Sequence, residues 1–220
     1  MVHSCRQSSP PSLPLSFDWV VAQTPVPYPD AVAEMESRVA DILAGGKGNQ
    51  IWLLEHPPLY TAGSSARAED LINPRFPVFE TGRGGQYTYH GPGQRIAYVM
   101  MDLRVRGNDL RRYICDLEEW IIRALNDFGV KGERREGRIG IWVAQRSHEE
   151  KIAAIGVRVR KGIAFHGVSI NVCPDLSHYA GIVPCGIREY GVTSLEKLGV
   201  AAAMTDVDAA LMRHWNGVFG

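Results

Sequence analysis

Four cysteines, at positions 5, 115, 173 and 185, are the first candidates for covalent chemistry in this 220-residue chain. A thiol reacts when it is accessible and its thiolate is favoured; otherwise it is a small apolar residue. Cys5 lies in a Ser/Pro-rich start, Cys115 in a helical repeat, and Cys173 at the end of a strand-like run before Pro174. Cys185 is set differently, in Ile182-Val183-Pro184-Cys185-Gly186-Ile187. Proline fixes the approach and glycine removes steric cover from the sulfur. Alone, the pattern suits packing and nucleophilic attack equally. No pair has CxxC spacing, so neither a zinc ribbon nor a thioredoxin-like motif is indicated. A secreted disulfide scaffold does not fit either, and a reducing cytoplasm is the expected setting.

A nucleophilic thiol needs an activator. Lys151 opens Lys151-Ile152-Ala153-Ala154-Ile155-Gly156-Val157. As a strand, this run places Lys151, Ala153, Ile155 and Val157 on one face. A lysine at the edge of such a face is partly desolvated, which lowers its pKa, and beside a cysteine it can take the thiol proton. The alternative is a snorkelling lysine with a buried stem and a wet head. The segment Gly82-Arg83-Gly84-Gly85-Gln86-Tyr87-Thr88-Tyr89-His90-Gly91-Pro92-Gly93-Gln94 lacks the GK[ST] ending of a P-loop and fits a Rossmann fingerprint poorly. Its glycines admit close backbone approach, its aromatics suit an apolar slot, and Arg83 and His90 offer polar anchors. His166 precedes Gly167 at the end of an apolar run and reads as a structural histidine. His56, His90 and His166 lack short ligand spacing, so no metal site is expected. The basic stretch 131–138 reads as a solvated loop.

These groups need a scaffold. Apolar residues at 32, 35, 39, 42 and 43 predict a helix over 30–44, stopped by Gly45-Gly46. A broader apolar face predicts a second helix over 109–128, with Asn108 or Asp109 as cap and Gly129 as end. Strands are expected at 51–54, 77–80, 95–102, 139–144, 151–159 and 164–172. Thr205 with Asp208 suggests a capped C-terminal helix. Strands cluster centrally without βαβ alternation, which predicts an α+β fold with a mixed, largely antiparallel sheet and flanking helices. Residues 1–15 read as a frayed tail and 16–220 as a single domain. Lys plus Arg equals Asp plus Glu at 24 each, so no global field favours nucleic acid. No apolar run approaches the ~20 residues of a membrane span.

Several stretches, in order, resemble the lipoyl (octanoyl) transferase family. They are His56-Pro57-Pro58 through Tyr60-Thr61-Ala62-Gly63, Arg83-Gly84-Gly85 through Gln94, and Gly140-Ile141-Trp142-Val143. Lys151 through Gly156, His166-Gly167, Asp175-Leu176-Ser177, Pro184-Cys185-Gly186 and Val192-Thr193-Ser194-Leu195 complete the set. The resemblance covers about 30–200. It implies an acyl-thioester on Cys185, with Lys151 lowering the thiol's pKa. It also implies an acyl-binding wall of Arg83, Gly84, Gly85, Gln86, Tyr87, Thr88, Tyr89, His90, Ala154, Ile155, Gly156, Gly167, Val168 and Ser169. One departure is Ser169, where many relatives have alanine. The implied fold is that of biotin and lipoate protein ligases. The implied donor is octanoyl-acyl carrier protein. The implied acceptors are lipoyl domains of 2-oxoacid dehydrogenase E2 subunits and the glycine-cleavage H protein.

In that reaction Cys185 takes the octanoyl group from one thioester and yields it to a lysine, so no nucleotide or other cofactor is expected. Each buried methylene contributes ~0.8 kcal/mol, so an eight-carbon chain gains about 5 kcal/mol in an apolar tunnel. Besides a non-catalytic lipoyl-domain binder, two alternatives stay open on sequence. One is an ATP-dependent lipoate or biotin ligase on the same fold, which needs no thiol. The other is a cysteine hydrolase pairing Cys185 with His90 or His166.

Overall fold

In the computed structural model, which describes residues 16–145, 148–183 and 190–220, apolar alternation along the strands builds one broad sheet with two different faces. The strands are β1 (Phe17–Val21), β2 (Asn49–Leu54), β6 (Gln94–Asp102), β7 (Glu133–Arg135), β8 (Arg138–Ala144), β9 (Glu149–Arg160) and β10 (Ile163–Asn171). Their order is β1-β2-β6-β10-β9-β8-β7, and a short β11 (Gly191–Val192) also pairs with β9. β1 runs parallel to β2 and β11 parallel to β9; the remaining pairs are antiparallel. A three-stranded sheet of β3 (Leu59–Ala62), β4 (Val78–Glu80) and β5 (Tyr87–His90) carries the glycine-rich segment.

Each face takes different helices. α1 (Tyr28–Ala44) lays Ala31, Met35, Val39 and Ile42 on Leu54, Ile96, Tyr98, Met100 and Phe165. It ends at Gly45, whose φ of 74° only glycine adopts without strain. The opposite face receives α2 (Leu110–Asn126) and α3 (Met204–Phe219), which bring Leu117, Trp120, Ile121, Leu211, Trp215 and Phe219 onto Ala97, Val99, Ile141 and Ile152. Asp109 caps α2 by accepting from the Arg112 N–H at 3.0 Å. These contacts agree with the mixed, largely antiparallel α+β architecture expected. No helix among the described residues is long and apolar enough to cross a membrane.

Three local expectations need correction. α3 starts at Met204, and the Asp206 carboxylate accepts from the Ala203 N–H at 3.0 Å. Thr205 is therefore inside the helix, and Asp208 forms a buried 2.7 Å ion pair with Arg95 on β6. The basic stretch is a hairpin arm, since β7 pairs with β8 and its arginines are ion-paired with Glu118, Glu119, Glu133 and Glu149. Finally, β9 is bulged: Ile141 pairs with Ala153 but Trp142 with Lys151, so Ile152 is an extra residue. Past a bulge the side-chain alternation is offset. Ile152, Ala153, Ile155 and Val157 pack with the α2/α3 core, while Lys151 is turned away from the face the alternation predicts.

Candidate active site

The bulge is where the site begins. β8 pairs with β9 only as far as Ala153, leaving the edge of 154–157 without a strand partner on that side among the described residues. The glycine-rich loop takes this place, the Gly84 N–H donating to the Val157 carbonyl at 2.9 Å. Loop, β9 and β10 enclose a cleft of about 430 Å³, within the size range of small-molecule sites. Its wall includes Arg83, Gly84, Gly85, Gln86, Tyr87, Thr88 and His90 from the loop and β5. Ala154, Ile155, Gly156, Gly167, Val168, Ser169 and Lys151 complete that side, and Ile96, Leu110, Ile114 and Ile139 add apolar surface.

Every expected wall residue except Tyr89 therefore meets at one cleft. Tyr89 turns into a separate aromatic cluster with Tyr60, Phe76 and Tyr179, its hydroxyl 2.8 Å from His178 Nδ1. Arg83 is buried, and its guanidinium donates to Thr61 O, Thr61 Oγ1, Gln86 O and Gly84 O at 2.7–2.9 Å. It ties the loop to β3 while its stem faces the cleft. Gly156 makes room for that stem: a Cβ there would lie 2.9 Å from Arg83 Cδ.

Lys151 is 7% exposed, so its head is not carried into bulk water as a snorkelling lysine's would be. Its Nζ donates to the Ile139 carbonyl at 3.0 Å and lies 4.7 Å from the centroid of the Trp142 ring. Gly140, with φ 117°, permits this contact, because a Cβ would come within 2.6 Å of Ala153 O and crowd the Lys151 head.

Cys185 falls in 184–189, outside the described residues, as does Cys5. The described flanks of that segment are tied to the scaffold. The Val183 N–H donates to the Asp70 carbonyl at 2.8 Å. On the other side Tyr190 meets the Trp142 ring edge-on at 5.4 Å, Val192 pairs with Lys151, and the Thr193 N–H donates to Lys151 O at 3.0 Å. Of the remaining thiols, Cys115 is half-buried on α2. Cys173 is exposed, and partial shielding of its sulfur from water, with Glu196 and Glu55 nearby, pushes its pKa up. That disfavours a Cys173 thiolate.

His56, His90 and His166 converge around Tyr98 rather than around a common ligand point. His56 and His166 lie 5.8 and 5.9 Å from the Tyr98 ring, and His90 5.9 Å from His56. His56 Nδ1–H donates to Val26 O at 2.6 Å, so its Nε2 accepts from the Tyr98 hydroxyl at 2.7 Å. His90 Nδ1–H donates to Gln94 Oε1 at 2.6 Å. Burial pushes their pKa values down, to about 4 for His56 and about 3 for His90 and His166, so all three rings are neutral. Among the described residues no group of three His, Cys, Asp or Glu is arranged to hold a metal.

One polar group was not singled out from sequence. Glu118, on the buried face of α2, accepts from the Gly140 N–H at 3.2 Å and pairs with Arg134 Nε at 3.2 Å. A glutamate in an apolar helical repeat was the available signal.

Solved structures of similar shape define the class. A bipartite lipoate protein ligase from Thermoplasma acidophilum aligns with TM-score 0.68 at 17% identity, covering 92% of this chain and 84% of that one. A biotin protein ligase from Aquifex aeolicus in complex with biotin and ATP aligns with TM-score 0.53 at 12% identity, covering 92% and 69%. The fold is that of lipoate and biotin protein ligases. Residues 27–216 match the lipoyl protein ligase A/B catalytic domain. The octanoyltransferase of Paramagnetospirillum magneticum is 63% identical over 205 residues, covering 92% of this chain and 97% of the relative. That of Caulobacter vibrioides is 61% identical over 207 residues, covering 92% of each. The chain belongs to the lipoyl protein ligase A/B family, among its octanoyltransferases.

Proposed function

We infer that this enzyme transfers an octanoyl group in protein lipoylation, working through a thioester on Cys185 with Lys151 as its proton partner. The acyltransferase activity follows from the family. The observation that carries the mechanism is Lys151, a buried amine that opens onto the same cleft as the expected acyl wall. In the first half-reaction the Cys185 thiolate attacks the donor thioester carbonyl. A new C–S bond forms, the donor C–S bond breaks, and the donor thiol leaves with a proton from the Lys151 ammonium. In the second, the acceptor lysine amine attacks the enzyme thioester. An amide forms, the Cys185 thiolate leaves, and Lys151 takes the proton released by the amine. Donor and enzyme intermediate are both thioesters, so the acyl group arrives activated and no nucleotide is required.

The described flanks support the pairing of sulfur and amine. The chain leaving 184–189 is bonded to the strand that holds Lys151, and only six residues lie between Cys185 and Val192, the partner of Lys151 across the ladder. We assign octanoyl-acyl carrier protein as donor, and lipoyl domains of 2-oxoacid dehydrogenase E2 subunits and the glycine-cleavage H protein as acceptors. The similar ligase from Thermoplasma acidophilum was studied together with its E2 lipoyl domain. Residues 16–220 act as one catalytic domain, and a reducing cytoplasm keeps the thiol available. A hydrolase reading is disfavoured, because histidines with pKa values near 3 are poor bases for a thiol.

The test is intact-mass analysis after mixing the enzyme with octanoyl-acyl carrier protein, without ATP, followed by a lipoyl domain. A single octanoyl adduct is expected, transferable to the acceptor and absent in Cys185→Ala. An adduct that persists in that variant and maps to Cys173 would overturn the assignment of the sulfur. Modification only with free octanoate and ATP would establish a ligase instead.

A further inference from the structure

The Lys151 head donates to a peptide group, and that group is held in turn by a carboxylate. The peptide joining Ile139 to Gly140 offers its carbonyl to Lys151 Nζ at 3.0 Å and its N–H to Glu118 Oε1 at 3.2 Å. A carboxylate on the N–H side and an ammonium on the carbonyl side both polarise the peptide in the same sense, so each contact strengthens the other. The arrangement joins α2 to β8 and β9, and Gly140 keeps it close. We propose that Glu118 is a positioning residue for acyl transfer, acting through the 139–140 peptide to fix the Lys151 head and favour its ammonium form.

The surrounding charges agree with this role. From β7, Arg134 pairs with the other Glu118 oxygen and holds the carboxylate toward the peptide. From β8, Arg138 lies 4.6 Å over the Trp142 ring, with the ring also 4.7 Å from Lys151 Nζ. Glu150, next in β9, is ion-paired with Lys197 at 2.7 Å and faces His148 at 3.5 Å. Burial pushes the Glu118 carboxyl up, while the Gly140 N–H, Arg134 and Lys151 pull it down, so the group responds to the amine it supports. Glu118 touches no substrate; its effect is on where the ammonium sits and how firmly it keeps its proton.

The inference rests on the reading of Lys151 as the proton partner of Cys185, and the two are separable. The measurement is the pH profile of single-turnover octanoyl adduct formation, read by intact mass with octanoyl-acyl carrier protein as donor. A nearby carboxylate favours the charged form of an amine, so removing its charge lets the ammonium lose its proton at lower pH. In Glu118→Gln, which keeps an oxygen for the Gly140 N–H, the alkaline limb is expected to move down by about one pH unit. The rate on that limb falls about tenfold, with donor KM unchanged. Glu118→Asp, which keeps the charge, is expected to restore the wild-type limb, and it decides the matter should the glutamine variant fail to fold. An alkaline limb that stays in place in Glu118→Gln, or drops equally in Glu118→Asp, overturns the proposal. If that happens while Lys151→Ala abolishes adduct formation, only the role of Glu118 is lost. If Lys151→Ala forms adduct at the wild-type rate, the reading of Lys151 falls, and the role of Glu118 with it.

Discussion

The two faces of the main sheet are built from the same strands yet differ in kind. Under α2 and α3 the core is apolar and aromatic. Trp215 stacks on Phe219 at 3.9 Å and meets Phe17, Trp19 and Trp120 edge-on at 4.7–6.0 Å. Under α1 and the small sheet, the same strands hold His166, Gln94, Tyr98 and Ser169, with His56 after β2 and His90 on β5 beside them, close to or within the cleft wall. Burying polar groups costs free energy unless each finds a partner. One face therefore carries much of the stability, and the other carries polar chemistry at a cost that the hydrogen bonds of His56, His90, Gln94 and Tyr98 offset in part.

The largest test of that division is Trp215→Ala. Deleting a fully packed tryptophan leaves a cavity, and a loss of about 3–5 kcal/mol is expected in urea denaturation. Adduct formation per folded molecule is expected to hold at the wild-type rate. A selective loss of chemistry at unchanged stability would show that the aromatic face reaches the site after all.

Acid separates the faces next. His56 titrates near 4 when folded against about 6.5 unfolded, and His90 and His166 near 3. For a depressed histidine the unfolded chain takes the proton first, so stability is full above about pH 6.5 and falls as pH drops toward the folded value. His56 alone accounts for on the order of 3 kcal/mol between about pH 6.5 and 4. Urea midpoints measured at pH 7 and pH 4.5 check this, and His56→Gln is expected to flatten the slope. A wild-type midpoint that is flat across this window would rule out the neutral cluster.

A smaller effect is expected from Tyr98→Phe. It removes the hydroxyl that donates to His56 Nε2 and leaves a buried acceptor unpaired. The expected loss is about 1–2 kcal/mol, since an orphaned buried group costs more than the bond itself contributes. The comparable Trp120 N–H, which donates to Leu211 O at 2.8 Å, marks the aromatic face as having polar bonds too, but few.

How much of this was legible in sequence follows from the range of each interaction. α1, α2 and the long strands have dense apolar periodicity, and the structure places them within a few residues of the expected bounds. Short pieces were missed: β1 is a half-exposed edge strand, β3 has four residues, and β7 is held by ion pairs rather than apolar pattern. The cleft wall was legible because glycine-rich backbone is unusual in itself, and because the family resemblance covered it. The direction of Lys151 was not. Alternation put it with Ala153, and the bulge that turns it away depends on how β8 pairs with β9. Glu118 was hidden for the same reason, since its partner Gly140 is distant in sequence and near only when α2 docks.

The smallest expected effect comes from Ser169, and it sharpens the comparison most. Its side chain is 5% exposed on β10, opposite Ala154 on one side and Ile96 on the other, both in the cleft wall. Among the described residues no partner accepts from or donates to its hydroxyl. An octanoyl chain has no polar atom along its methylenes, so the chain entering here would cover the hydroxyl without pairing it. Ser169→Ala should then lower the KM for the octanoyl donor several-fold, equivalent to about 1 kcal/mol, and leave kcat unchanged. The gain should persist for hexanoyl and decanoyl donors, because a hydroxyl in the wall penalises any methylene passing it, whereas a group at the tunnel end would discriminate by length. A KM that rises in Ser169→Ala would mean that the hydroxyl bonds the bound acyl group, placing the carbonyl rather than the tail beside Ser169.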